Sequence, residues 1–96
     1  MDEKLKALGV EGLFRAILTL QTEEECADFF QDLCTVQELK SMSQRYQVAM
    51  MLKDKKVYSD IVRQTGASTA TISRVNRSLS YGNDGYQLVL DRLNKK

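Results

Sequence analysis

An all-α fold carrying a helix-turn-helix is predicted by three features of the sequence. Proline is absent from all 96 residues, and the few glycines are expected at segment junctions, so the usual helix breakers are missing. Apolar residues recur at three- and four-residue spacing over most of the chain. A third feature is "QTGASTATISRVNRSL", residues 64–79. It is too polar for a core helix and too regular in its apolar positions for a loop.

The first predicted helix runs from Leu8 to Leu20, with Val10, Leu13, Phe14, Ile17, Leu18 and Leu20 at helical spacing. Thr22 opens the next, with Glu25 completing a capping box and Glu23 and Glu24 suiting the positive helix start. Its apolar face is Cys26, Phe29, Phe30 and Leu33. Thr35 and Glu38 repeat the capping box and start a helix from Val36 to about Lys53, ended by "KDKK". Its stripe is expected to be Val36, Leu39, Met42, Tyr46, Ala49 and Met50. These helices carry more apolar surface than one small core needs. Phe29, Phe30, Leu33, Ile17 and Leu18 suggest an intertwined dimer, the alternative being a tight monomeric bundle.

Tyr58 to about Thr65 reads as a short helix, with Ile61 and Val62 on its inner side. Gly66 supplies a residue tolerant of positive φ at the turn. Ser68 or Thr69 then caps a second helix that runs to about Leu79. Ile61, Thr65, Ala67, Ile72 and Val75 are the positions expected to pack the two helices together, with Leu79 also inward. Thr69, Ala70, Ser73, Asn76 and Arg77 are left outside.

That outer face is suited to a DNA major groove. Short side chains at the helix start let the backbone come close, and hydroxyls and methyls can meet base edges. Thr69, Ala70 and Ser73 are assigned to base edges, and Ser68, Arg74 and Arg77 to the phosphate backbone. The plain alternative is an αα-hairpin with a solvated polar face. "YGNDGY" reads as a turn with an N-cap at Asn83 or Asp84.

The net charge of +1 conceals an asymmetry. Residues 1–35 hold eight acids and three bases, net −5; residues 36–96 hold eleven bases and five acids, net +6. A basic half facing DNA and an acidic half facing away would produce this pattern, as would ordinary solvated helix faces. With no histidine there is no Ser/His or Cys/His pair, and an enzyme is not expected. No metal or cofactor is expected either. Cys26 and Cys34 would lie about 12 Å apart along one helix at about 1.5 Å per residue, too far to bond, and read as reduced, half-buried thiols of a cytoplasmic protein. No signal peptide or membrane span is legible. The rival reading is a helical dimeric protein-interaction module, whose binding would lack the steep salt dependence of phosphate neutralisation.

"VQELKSMSQRYQVAMMLKDKKVYSDIVRQTGASTATISRVNRSL" resembles the Trp repressor superfamily, and "TGASTATISRVNRSL" is most similar to its YerC/YecD-type branch of Gram-positive bacteria. The resemblance implies a six-helix intertwined homodimer binding double-stranded DNA as a transcriptional repressor. It implies one domain over 1–96: dimerisation helices at 1–53, the helix-turn-helix at 58–79, and a C-terminal dimerisation helix at 84–95. Tyr86, Leu88, Val89 and Leu93 of that last helix would pack on the partner. The two corepressor-binding arginines of the repressor fall on Arg45 and Arg74. The next position, a glycine in the repressor that leaves room for an indole, is Val75 here. A candidate ligand pocket at Arg45, Arg74 and Val75 is thus expected to exclude tryptophan, with a smaller effector or none in its place. Arg45 would then stack on Tyr46 or pair with an acid. Val62 stands where many helix-turn-helix motifs hold alanine, implying a slightly wider helix crossing, and Asp60 is a further departure, expected to cap its helix and face away from phosphate.

Overall fold

The structure, a computed structural model, describes residues 1–95. Among them are seven helices and no strand: α1 (Glu3–Ala7), α2 (Glu11–Ile17), α3 (Glu23–Leu33), α4 (Val36–Lys53), α5 (Tyr58–Thr65), α6 (Thr69–Tyr81) and α7 (Gly85–Leu93). The chain divides into two compact units, Met1–Val36 and the remainder from Gln37.

In the first unit, the helix expected over Leu8–Leu20 is shorter, and a separate short helix precedes it. The chain breaks at Gly9, whose φ of +73° a helix cannot continue through. This break makes seven helices where six were expected. Gly12 lies inside α2 and not at a junction. Asp2 caps α1 by accepting from the Leu5 N–H at 2.8 Å. Thr22 caps α3 by accepting from the Glu25 N–H at 3.1 Å. The Glu25 carboxylate reaches back one residue further than a capping box requires, accepting from the Gln21 N–H at 2.9 Å. Phe29 and Phe30 meet edge to face with ring centroids 5.6 Å apart. No residue of α1, α2 or α3 is buried. Cys26 is exposed, although it shares a helix face with the half-buried Phe29 and Phe30; Cys34, just past the helix end, is half-buried, and both thiols are free.

The core belongs to the second unit. Val48, Ala49, Ile61, Ala67, Ile72 and Val75 form it, with Met50, Met51, Leu52, Leu79 and Tyr86 packed around them. The expected stripe of α4 is therefore only partly the inward one. Ala49 is buried beside Val48, which the stripe omitted, while Val36, Met42 and Tyr46 are exposed. Apolar residues occupy several faces of this long helix, and its neighbours, not its own spacing, decide which face is covered. The helix ends at Lys53, whose ammonium donates to Gln87 Oε1 on α7. Asp84 occupies the N-cap position of α7 in a left-handed conformation and makes no side-chain capping bond. Of the four apolar residues expected on α7, Tyr86 packs on the core of its own chain, and Leu88, Val89 and Leu93 are exposed.

Candidate nucleic-acid interface

The turn between α5 and α6 is fixed by short-range bonds. Gly66 adopts φ +72° and donates its N–H to the Val62 carbonyl at 2.9 Å, closing α5. The Thr65 hydroxyl donates to the Ile61 carbonyl at 2.7 Å and accepts from the Ala67 N–H at 3.1 Å. Gln44 on α4 donates its side-chain amide to the Thr65 carbonyl at 3.0 Å. The last turn of α5 is thus tied both to the start of the next segment and to α4.

Ser68 is the N-cap of α6; its hydroxyl accepts from the Thr71 N–H at 3.1 Å and donates to Thr71 Oγ1 at 3.1 Å. Ile72 and Val75 are buried on the inner face. The outer face, Thr69, Ala70, Ser73, Asn76 and Arg77, is exposed, and so is Arg74. Among the described residues no side chain accepts from the Thr69 or Ala70 N–H, and no carboxylate pairs with Arg74 or Arg77. The helix therefore presents a start lined with small side chains, two free backbone donors, and two uncompensated guanidinium groups further along. That combination of polarity and charge matches a polyanion.

Several expectations about neighbouring residues are corrected. Val62 is 36% exposed and lies outside the helix crossing, so it cannot widen it; the inward positions of α5 are Ile61 and Thr65, one turn apart. Asp60 does not cap α5, whose N-cap is Val57 with no side-chain bond. Its carboxylate accepts from Arg63 at 2.7 Å, three residues on. Arg45 is exposed on α4 and, among the described residues, neither pairs with an acid nor lies over an aromatic ring. Tyr58 and Tyr81 join this surface without having been assigned to it, and Asn76, placed on the outer face but given no contact, meets one of them. Asn76 Nδ2 donates to the Tyr58 hydroxyl at 3.5 Å, and the Arg77 guanidinium lies 6.0 Å from the centre of the Tyr81 ring. Sequence spacing gives no signal for either tyrosine, since each sits at a helix end where the apolar period is not defined.

The sequence matches the Trp repressor protein family over residues 9–94. The chain belongs to the Trp repressor family. It is 52% identical to the uncharacterized protein YerC of Bacillus subtilis (strain 168) over 91 residues, spanning 95% of this chain and 88% of that protein. The fold is similar to the crystal structure of a TrpR-like protein from Eubacterium eligens, with a TM-score of 0.92 and 57% identity, covering 99% of this chain and all of that one. It is likewise similar to the crystal structure of a putative Trp repressor from Staphylococcus aureus, with a TM-score of 0.91 and 56% identity, covering 98% and 94% of the two chains. At the level of this family the protein is a helix-turn-helix DNA-binding regulator. Of the three positions set against the repressor's corepressor site, Arg45 and Arg74 are exposed, while Val75 is 2% exposed with its side chain in the core. No described helix is long and apolar enough to cross a membrane.

Proposed function

We propose that this chain is a cytoplasmic, homodimeric transcriptional repressor that reads a specific duplex DNA sequence with α6, without catalytic activity and without tryptophan. The observation that carries the reading is the division of α6 into a buried apolar face and an exposed face that makes no ion pair among the described residues. Thr69, Ala70 and Ser73 contact base edges, and Arg74 and Arg77 contact phosphates. The Ser68 hydroxyl is already committed to capping, so its backbone contact shares that oxygen. Dimerisation is supported by α1–α3, which bury no residue and leave Leu8, Phe14, Leu18 and Leu33 exposed. The whole chain then acts as one domain, with helices at 1–53 and 84–95 completing a shared core. A dyad would place two copies of α6 roughly one helical turn of DNA apart, about 34 Å.

Tryptophan independence rests on the family resemblance, which sets Val75 against a glycine of the repressor; here that branched side chain is 2% exposed. Micromolar binding of L-tryptophan in a calorimetric titration would overturn it. The DNA reading is tested by repeated selection from a random duplex pool at two salt concentrations with no ligand added. Enrichment of a near-palindrome, bound more weakly at the higher salt, is expected. No enrichment at either salt would count against direct DNA binding and assign the exposed face of α6 to a protein partner.

A further inference from the structure

Tyr58 and Tyr81 remain unexplained once the recognition face has been described. Tyr58 opens α5 and Tyr81 closes α6; they are 39% and 83% exposed, and neither contributes to the core. Together with Ser73, Arg74, Asn76 and Arg77 they line an open cleft along the C-terminal part of the exposed face of α6. The groups in it are matched to one kind of ligand. The Tyr58 hydroxyl accepts from Asn76, so its own proton remains available for donation. Arg77 rests near the Tyr81 ring, at the outer range of a cation–π contact. Arg74 and Arg77 have no carboxylate partner among the described residues, and Asp60, the acid of α5, is taken by Arg63. The cleft therefore offers two guanidinium groups and a phenolic donor with no competing anion.

We propose that this cleft seats a backbone phosphodiester of the bound duplex. Arg77 pairs with the phosphate, Tyr58 donates its O–H to it, and Tyr81 is a positioning residue that holds the Arg77 guanidinium at the cleft. A phosphate fits better than a base edge because Arg77 lies about 12 Å along the helix axis from Thr69, at about 1.5 Å per residue. A helix entering the groove by its N-terminus meets the groove wall, which is backbone, further along its length. The proposal rests on the DNA-binding reading, and extends the contact surface from the recognition helix to the first residue of α5.

The test uses the intact protein and the duplex recovered by selection, with affinity measured across a salt series. Tyr58→Phe is expected to weaken binding roughly tenfold, as loss of one hydrogen bond to a charged group should, without changing the salt slope. Arg77→Gln is expected to weaken binding and reduce the slope of log K against log salt by about 1. Tyr81→Leu should weaken binding while Tyr81→Phe, which keeps the ring, should not. Tyr81→Leu should add nothing in the Arg77→Gln background, the signature of action through Arg77. Ethylation of one phosphate per half-site should block the natural protein and no longer discriminate for Arg77→Gln. All these side chains are exposed, and unchanged far-UV circular dichroism would confirm that each variant folds. If Tyr58→Phe and Arg77→Gln keep the natural affinity, slope and interference pattern, the cleft proposal is wrong while DNA binding stands. If the natural protein selects no duplex, both readings fall.

Discussion

Gly66 sets the angle at which α6 leaves the turn, and its value lies in its backbone. Its φ of +72° is costly for any residue with a Cβ, although an added Cβ would have room, the nearest atom being Gln44 Nε2 at 4.0 Å. Gly66→Ala is therefore expected to destabilise the fold by about 1 kcal/mol through strain alone, measured by urea denaturation. Two residues later, Ser68→Ala removes the cap and should cost a similar amount, about 1 kcal/mol. Thr69→Asp separates folding from binding. An acid in the first turn favours the helix, so stability should hold or rise slightly, while repulsion from phosphate should abolish binding to the selected duplex. Retained binding would remove the start of α6 from the groove. Gly66 was legible in the sequence, and the cap was narrowed to Ser68 or Thr69, because each residue type performs a local backbone task. The Asp60–Arg63 pair was not, because a carboxylate in the first turn satisfies capping and pairing rules equally well.

At the scale of elements, α4, α5 and the start of α6 lie where spacing and caps place them. Their buried faces were harder to read. Ile61, Ile72 and Val75 were identified because the two short helices offer few apolar choices, whereas α4 offers apolar residues on several sides and Val48 was missed. On α5, Val62 is as apolar as its neighbour Ile61 but turns outward, about 100° around the helix. The two should respond very differently to truncation. Ile72→Ala, removing a fully buried side chain, is expected to cost roughly 2–5 kcal/mol, and Val62→Ala to stay within about 0.5 kcal/mol. Equal losses in thermal or urea unfolding would mean that Val62 is covered in the assembled protein.

For the whole molecule, the decisive contrast is between a unit with a core and a unit without one. Residues 1–36 form three helices, two of them with side-chain N-caps, and yet none of their residues is fully buried, and Leu18 is 83% exposed. Caps contribute about 1 kcal/mol each, too little to hold three short helices in water. A second copy of the chain would supply the missing contacts, and unfolding would then depend on protein concentration. Each tenfold dilution is expected to lower apparent stability by about 1.4 kcal/mol of dimer. A midpoint independent of concentration, with a monomer by sedimentation, would refute the dimer. The apolar excess of these helices is legible in the sequence, but composition cannot say which surface it would meet, because that depends on chain crossings no periodicity encodes.

The separation of the two faces of α6 also bears on how such a protein can change over time. Ile72 and Val75 hold the helix in place, while Thr69, Ala70, Ser73 and Asn76 stand outside the core. Substitutions at those outward positions escape the penalty that purges most interior changes. Under the DNA-reading proposal, duplicated copies of such a chain can drift to new target sequences while keeping one scaffold, and related proteins are expected to diverge in their operators sooner than in their folds.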